Sequence, residues 1–324
     1  MSGIVPTPED FVVDEIPLYR PSGEGGHTFL RVEKRLRNTE EVRRELARIA
    51  GVRPAEVGYA GRKDRVAIAR QWFSVPGLDP ERALTLEGQG MRVLEAARHP
   101  HKLRTGQLRG NRFELTLRGL SEPGRVAPLL AEMASRGMPN RFGAQRFGKG
   151  AANPARARAL LEGAPIAGNR SQLRFLLSAL QAEVFNAVLV ARPLALDRLE
   201  TGDIAWIHAS GACFLVEDVQ REAPRASAFE ISPTGPIFGS RTLQPRGAPG
   251  ERERAVYQGF GLPAPEELRL PRGIRLRGAR RPLRVRPEAA SSQSLGDGAV
   301  RLSFALPPGS YATVLVEELR AGLG

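Results

Sequence analysis

The chain has little of the chemistry on which disulfide and metal proteins depend. Its 324 residues include one cysteine, Cys213, which excludes an intrachain disulfide framework and a cysteine zinc site. Of the four histidines only His99 and His101 lie close together, and such a pair without a carboxylate or cysteine nearby is weak evidence for a metal. We therefore expect neither a metal site nor a disulfide.

Targeting and membrane features are also missing. No basic segment followed by an apolar stretch opens the chain, so no signal peptide is predicted. No apolar run approaches the length needed to span a bilayer, which predicts no transmembrane helix. The expectation is a soluble cytoplasmic protein, without a membrane association and with no obligatory protein partner evident.

Acidic residues are in the minority. The chain has 48 Lys and Arg against 35 Asp and Glu, a formal net charge of +13, and it is 41% hydrophobic. This composition supports one large or two medium domains with cores of their own. The charge indicates a polyanionic partner, either nucleic acid or an anionic membrane, and the alternative is a basic protein that binds neither.

One glycine-bracketed turn organises the rest of the chain. Residues 58–73 read G-Y-A-G-R-K-D-R-V-A-I-A-R-Q-W-F. Glycines at both ends of the first four residues predict a turn, and Val66, Ile68 and Trp72 predict a β-strand behind it as apolar anchors.

Asp64 follows this turn, between Lys63 and Arg65. Neighbouring cations favour the ionised form of a carboxylate, and an ionised, positioned aspartate is a candidate nucleophile or base. The alternative is an aspartate that only caps the turn by local hydrogen bonding.

The remaining pattern is mixed α and β. Strands are predicted at 11–16, 28–32, 113–117 and 300–304, where apolar residues alternate or cluster. A helix is predicted from the capping box of Asn38 and Glu41 to Gly51, and a second from Ser171 to Pro193 with leucine and valine at helical spacing. Asn153, with Pro154 behind it, predicts the start of a short helix that ends at Gly163, and residues 232–265 are expected to be loop-like.

A second glycine-rich loop, N-R-F-G-A-Q-R-F-G, spans residues 140–148. Within it, residues 143–149 spell G-x-x-x-x-G-K, but Gly150 replaces the Ser or Thr of a nucleotide-binding loop and no apolar strand precedes it. An NTP-dependent RNA enzyme is therefore a weak alternative. The favoured interpretation is a loop that presents an amide and an aromatic ring to a base; the other is that Phe142 and Phe147 are core residues.

Two segments are basic and contain no acid. Residues 99–112 include Lys102, Arg104, Arg109 and Arg112, and residues 269–286 carry eight arginines among alternating apolar residues. A basic loop can contact phosphate, and arginine is suited to it because its planar fork bonds two oxygens at once. We expect the second segment to form a basic-faced strand pair; the alternative for both is a solvated charged surface.

Several of these motifs resemble the TruD family of tRNA pseudouridine synthases. The match is carried by G-Y-A-G-R-K-D-R at 58–65, P-E-D-F-x-V-D-E at 8–15, G-E-G-G-H-T-F-L-R-V at 23–32, K-L-R-x-G-x-L-x-G-N-x-F at 102–113, the loop at 140–148 and the run L-P-P-G-S-Y-A-T at 306–313. Together these motifs extend over nearly the whole chain.

The resemblance implies an α+β fold: a pseudouridine synthase catalytic domain of mixed β-sheet and flanking helices at 1–164 and 283–324, with an inserted α/β domain at 165–282. It implies isomerisation of uridine 13 in tRNA without a cofactor. A non-catalytic RNA-binding protein with the same basic surface is the alternative.

The resemblance also implies a set of site residues. Asp64 would be catalytic with Lys63 beside it, and Phe11, Asn140, Phe142 and Tyr311 would bind the uridine. Contacts to RNA would come from Lys102, Arg104, Arg146, Arg275 and Arg277. One departure stands out, because the family usually has a basic residue shortly before P-E-D-F and residues 3–7 have none. Lys63 or Arg146 could then supply the cation that pairs with Asp64.

Overall fold

The computed structural model describes residues 7–271 and 273–324. Two compact units emerge from it. The first comprises the residues up to Ala131 together with Pro287–Gly309 and Leu319–Gly324, and the second comprises Glu132–Arg286 and Ser310–Glu318. The insertion expected at 165–282 falls inside the second unit, and its boundaries remain a prediction.

Both strands and helices are distributed along the chain. The strands are β1 Phe11–Pro17, β2 His27–Arg35, β3 Gly58–Tyr59, β4 Ile68–Pro76, β5 Glu87–Gly88, β6 Met91–His99, β7 Leu108–Leu117, β8 Met138–Pro139, β9 Ile204–Ile207, β10 Cys213–Leu215, β11 Ile231–Ile237, β12 Ala279–Pro282, β13 Arg284–Val285, β14 Glu288–Gly296 and β15 Ala299–Leu306. The α-helices are α1 Thr39–Ala50, α2 Pro80–Leu84, α3 Val126–Arg136, α4 Ala152–Leu161, α5 Arg170–Ala191, α6 Val219–Ser227, α7 Gly247–Gly259 and α8 Ala312–Leu323.

A mixed sheet forms the first unit. Its strands run in the order β14-β15-β7-β1-β4-β2-β6-β5, with β3 paired to β4. The β1–β4 pair is parallel, with Val12 opposite Ile68, whereas β1–β7 and β2–β4 are antiparallel. A mixed sheet with flanking helices confirms the predicted α+β class.

Helix α1 covers one face of this sheet. Asn38 caps its first turn in a capping box with Glu41, and Gly51 ends it in the left-handed conformation at φ 68°, both as predicted. Val42 and Leu46 on its inner face are fully buried against the sheet, with Leu30 and Phe73. The helix and the strands of this core fix the start of the loop that carries Asp64.

The second unit is built around α5. Asn169 caps this helix in a capping box with Gln172, two residues before the predicted start at Ser171. Leu176, Leu177, Leu180 and Val184 are buried in one cluster that also takes up residues of α4. A smaller antiparallel sheet, in the order β10-β9-β11-β12, packs beside α5, and β8 pairs with β13.

Three local predictions were wrong. The expected loop at 232–265 contains most of β11 and the whole of α7. Helix α4 begins at Ala152, so Asn153 lies inside it and is not its cap. Ala151 occupies the N-cap position at φ 54° and makes no side-chain capping hydrogen bond. Val66, expected to anchor β4, is 53% exposed and lies before the strand.

Candidate active site

The loop between β3 and β4 presents Asp64 to solvent. At its start, a side chain on Gly58 would come within 2.2 Å of the Leu103 carbonyl oxygen, so this position accepts only glycine. Asp64 is exposed, and its carboxylate makes no hydrogen bond or ion pair with the residues that the structure describes. The carboxylate is therefore available to a ligand, which a merely capping aspartate would not be.

A buried lysine holds the main chain at Asp64. The side chain of Lys34, on β2, is completely buried, and its ammonium donates to the carbonyl oxygens of Asp64 at 2.7 Å and Arg37 at 2.6 Å. Burial lowers the pKa of Lys34 to about 8, while the nearby Asp64 carboxylate opposes that shift. Burying a charged ammonium costs free energy, and here that ammonium fixes the main chain of Asp64 through its carbonyl oxygen.

Sequence reasoning missed Lys34, although the pattern contained a signal. Leu30, Val32 and Lys34 occur at every second residue of β2, and all three point to the buried face. A lysine in register with two core residues is rarely buried unless it has partners. That register, read from the sequence, would have marked Lys34 as a functional candidate.

Lys63 is committed to a different partner. Its ammonium lies 2.5 Å from Oε2 of Glu15, and both side chains are almost completely buried. The other oxygen of Glu15 accepts the main-chain N–H of Trp72 at 3.2 Å. Of the two cations proposed to pair with Asp64, Lys63 is thus already paired, and its catalytic role remains a prediction.

A short polar chain completes the support of this loop. The main-chain N–H of Lys63 donates to Thr39 Oγ1 at 2.9 Å, and that hydroxyl donates to Gln71 Oε1 at 2.9 Å. The amide of Gln71 in turn donates to the carbonyl oxygen of Gly61 at 3.1 Å. Helix α1 and strand β4 therefore both fix the three residues that precede Asp64.

The second unit holds the other predicted group around Asn140, which is 5% exposed. Its amide oxygen accepts from Arg281 Nη2 at 2.6 Å and from the Ser310 hydroxyl at 3.1 Å, and its Nδ2 donates to the Pro282 carbonyl at 3.0 Å. Both lone pairs of the oxygen are used, so among the described residues one N–H of this amide is left for a ligand. Such a donor fits a carbonyl oxygen, which uracil offers.

Phe142 lies against the same arginine. The guanidinium of Arg281 stacks over its ring at 4.2 Å from the centroid, and Phe185 and Tyr311 meet it edge-on at 5.5 and 6.0 Å. The Asn186 side chain accepts from the Phe142 N–H at 2.8 Å and donates to its carbonyl at 3.0 Å. The ring is thereby fixed, with Arg281 covering a face that stacking on a base would otherwise use.

Burial lowers the pKa of Arg281 to about 10, and the nearby Tyr311 opposes this shift. Sequence analysis had placed Arg281 only in a basic, phosphate-contacting segment. In the structure it instead links Asn140 to Phe142, two of the four residues expected to bind uridine. No sequence pattern distinguishes it from its arginine neighbours, because its role depends on a contact across 141 residues of chain.

Arg146 lies over two rings, 5.8 Å from the centroid of Phe142 and 5.2 Å from that of Phe175. Gly143 lets the loop pass close to Thr313 and Tyr311, because a side chain on this residue would come within 2.9 Å of Thr313 Oγ1 and 3.1 Å of the Tyr311 ring. The loop at 140–148 contains one 3-10 turn, Ala144–Phe147, and a second, Lys149–Ala151, follows it, in place of a nucleotide-binding strand–loop–helix.

The other predicted residues are more scattered. Phe11 is 8% exposed and packs on Phe113, with 6.1 Å between ring centroids, so little of its ring faces solvent. Lys102 donates to the Ala55 carbonyl at 2.5 Å, and Arg104 is exposed. Arg275 and Arg277 are exposed in the second unit.

The basic segment 269–286 differs from the expected strand pair. Strand structure begins only at Ala279, and Arg272 lies outside the described residues. Arg280 is buried and pairs with Glu253 at 2.6 Å, and Arg284 is completely buried and donates to Ser232 and three main-chain carbonyls. Those two arginines hold the second unit together, so only the exposed members of the segment are available to phosphate.

Within residues 7–271 and 273–324, no group of three or more His, Cys, Asp or Glu is arranged to hold a metal ion. Residues 3–6 of the departure from the family pattern lie outside the described part of the chain.

The expectation that no segment reaches bilayer length was wrong. Helix α5, with 22 residues and a mean hydropathy of 1.5 in its most apolar window, is long and apolar enough to cross a membrane. Half of that window is buried inside the protein, as in the core helix of a soluble protein.

Comparison with known proteins gives a consistent result. The family model described as tRNA pseudouridine synthase D (TruD) matches residues 3–164 and 156–319. The tRNA pseudouridine synthases D of Geobacter metallireducens and Thermus thermophilus are 39% and 44% identical, over 98% and 96% of this chain and 94% and 86% of their own. That of Anaeromyxobacter dehalogenans is 44% identical over 96% of this chain and 91% of its own.

The fold is similar to that of a crystal structure from Methanosarcina mazei assigned to tRNA pseudouridine synthase D. The TM-score is 0.75 at 22% identity, and the match covers 98% of this chain and 92% of the other. At this identity the comparison establishes the fold alone.

Proposed function

Because the chain belongs to the TruD family of tRNA pseudouridine synthases, we propose that it converts a uridine of tRNA into pseudouridine, and that the target is uridine 13. The observation that carries the proposal is the match of the family model to both halves of the chain. Such an isomerase acts on RNA in the cytoplasm, without a cofactor, a membrane or an obligatory protein partner.

The reaction exchanges one bond for another within the nucleotide. The bond between ribose C1′ and N1 of uracil breaks, the base rotates, and C1′ bonds to C5, which loses its proton while N1 gains one. The target must first leave its helical stack, which costs a few kcal/mol. Stacking of the extruded base on an aromatic side chain returns about 1–3 kcal/mol.

We assign the chemical step to Asp64. Its exposed carboxylate makes no hydrogen bond or ion pair with the described residues, while Lys34 fixes its main chain. Three roles are open to that carboxylate: attack on ribose C1′, attack on C6 of uracil, or removal of the ribose 2′ proton. Lys63 supports the loop through Glu15 in each case.

We assign binding of the base to the cluster in the second unit. The remaining N–H of Asn140 would donate to a uracil carbonyl oxygen, and Phe142 and Tyr311 would supply aromatic surface. Phe11, in the first unit, is a further residue that the family resemblance suggests for uridine binding. Arg146, Lys102, Arg104, Arg275 and Arg277 would contact the RNA backbone. Cytosine differs from uracil by an amino group where O4 stands, so a single donor from Asn140 to that position favours uracil.

The test is to incubate purified protein with an unmodified tRNA transcript, without nucleotide, and to map pseudouridine by chemical derivatisation. Pseudouridine at position 13, absent from a transcript with cytidine there, is the expected result. Tight RNA binding with no pseudouridine would instead establish the non-catalytic alternative. Turnover only with added ATP would point to an NTP-dependent enzyme, and modification at another position would reject the proposed target.

A further inference from the structure

The second unit contains a cleft that the proposed reaction does not use. Its volume is about 390 Å³, within the range of small-molecule sites. The buried side chains of Leu268 and Ile274 line it together with Arg241, Arg275, Arg277 and Glu266. Among the described residues, the cleft therefore combines an apolar floor with a rim that carries three positive charges and one negative charge.

The three arginines of this rim are not used by the protein itself. All three are exposed, and in the described part of the chain their side chains make no hydrogen bond or ion pair. They differ from Arg280 and Arg284 in the same segment, which are buried and bonded to several partners and so stabilise the fold. With three arginines and the carboxylate of Glu266, the described rim keeps a net positive charge, which a bound anion would stabilise.

The backbone beneath the rim is fixed rather than loose. The Ser240 N–H donates to the Leu276 carbonyl at 2.9 Å, and the Gly278 N–H donates to the Ser240 carbonyl at 2.9 Å, which ties two segments of the rim together. Arg241 is held in the left-handed conformation at φ 64°, which is uncommon for a residue with a side chain. Non-glycine residues in this conformation concentrate at functional sites.

We propose that this cleft is a second RNA-binding site, which seats one unstacked nucleotide of the substrate away from the modified uridine. The base would rest on the apolar floor, and the flanking phosphates would bond the guanidinium groups of the rim. This extends the proposed function, since it assumes an RNA substrate. An open, half-apolar and cationic cleft matches single-stranded RNA because an unstacked base and its phosphates present both chemistries together.

The test compares two charge-matched triple variants of the full-length protein. One carries Arg241→Gln, Arg275→Gln and Arg277→Gln, and the control carries the same change at three exposed arginines elsewhere in the second unit, Arg156, Arg198 and Arg221. Binding of a tRNA transcript is measured from about 50 to about 200 mM salt, a range over which phosphate contacts change affinity strongly.

We expect the cleft variant to bind tRNA at least about tenfold more weakly. The negative slope of log affinity against log salt should become shallower by about 1.4–2.1, which corresponds to two or three lost contacts with phosphates of a single strand. The control variant should bind nearly as wild type. Ultraviolet crosslinking followed by mass spectrometry should place a nucleotide on residues 262–278 of the wild-type protein.

Equal binding by the two variants, or crosslinks confined to other segments, would overturn the proposal. So would loss of binding to anionic vesicles with RNA binding intact, because that result assigns the cleft to a membrane. Binding is measured without turnover, so the two proposals can fail separately. If the cleft variant binds RNA more weakly but the wild-type protein forms no pseudouridine, the proposed function is refuted and the cleft proposal stands. If the wild-type protein forms pseudouridine but the cleft variant binds RNA as wild type does, the cleft proposal alone is refuted.

Discussion

Replacing Lys34 by methionine should separate activity from stability. Methionine has nearly the same length and shape, but it carries no charge and donates no hydrogen bond. The buried ammonium of Lys34 is costly to the fold, since its pKa falls from 10.5 to about 8. That fall corresponds to about 3 kcal/mol of preference for the uncharged form, because each pKa unit is worth about 1.4 kcal/mol.

Against this gain stands the loss of two hydrogen bonds to main-chain carbonyls, those of Asp64 and Arg37. Each contributes about 1.5–3 kcal/mol because its donor is charged. The two effects partly cancel, so we expect the free energy of unfolding of Lys34→Met to lie within about 3 kcal/mol of wild type. The Asp64 main chain, however, loses its anchor, and a misplacement of this kind can lower the rate about 100-fold.

The assay is single-turnover formation of pseudouridine, beside urea unfolding of the same samples. Lys149→Met, at an exposed lysine, controls for the loss of one positive charge. A destabilisation above about 4 kcal/mol would show that the ammonium stabilises the fold by more than its burial costs. Unchanged turnover would refute its role in positioning Asp64.

The pH dependence supplies an independent check. Between about pH 8 and 10.5 Lys34 is neutral in the folded protein but charged in the unfolded chain, so the unfolded state binds more protons. Wild-type stability should therefore rise with pH through this window relative to Lys34→Met. Turnover by wild type should fall above about pH 8 as the ammonium that faces Asp64, Lys63 and Glu41 loses its proton, and the variant should lack that fall.

Three further predictions concern buried charges. Glu15→Gln should lower the free energy of unfolding by about 3–5 kcal/mol in urea titrations, because it leaves Lys63 buried without a counter-charge; a change below about 1 kcal/mol would contradict this. Arg280→Met should destabilise the second unit by a similar amount, because it leaves Glu253 without its buried partner. The salt dependence of tRNA binding should not change, and a shallower dependence would show that Arg280 contacts RNA. Arg281→Met should reduce kcat/KM for tRNA by about 10- to 100-fold in steady-state assays, since Asn140 loses a charge-assisted donor worth about 1.5–3 kcal/mol, and wild-type kinetics would contradict this.

Local patterns were sufficient for much of the fold. The capping box at Asn38 and Glu41 and the stop at Gly51 were predicted because each depends only on nearby residues. The alternation at 113–117 and 300–304 correctly predicted strands; 300–304 is buried on alternate residues, whereas Thr116 in the first strand is buried as well. Short-range rules failed at 232–265, where proline and glycine suggested a loop, because pairing with β9 and β12 stabilises β11 despite Pro233 and Pro236.

The candidate site was only partly accessible from sequence. Sequence motifs alone pointed to Asp64 and Asn140, whose roles remain predictions, but the residues that hold them in place come from distant parts of the chain. Lys34 reaches Asp64 across 30 residues, and Ser310 reaches Asn140 across 170. Eight arginines between 269 and 286 look alike in sequence, and only packing divides them into internal partners and exposed contacts.

The central claim is that the carboxylate of Asp64 performs the chemistry. The most direct measurement is pseudouridine formation in a tRNA transcript by Asp64→Asn, a change that keeps the shape of the side chain and removes its charge. The prediction is normal folding and tRNA binding with no pseudouridine above background after prolonged incubation. Pseudouridine at the wild-type rate would contradict the claim and require another residue as the catalytic group.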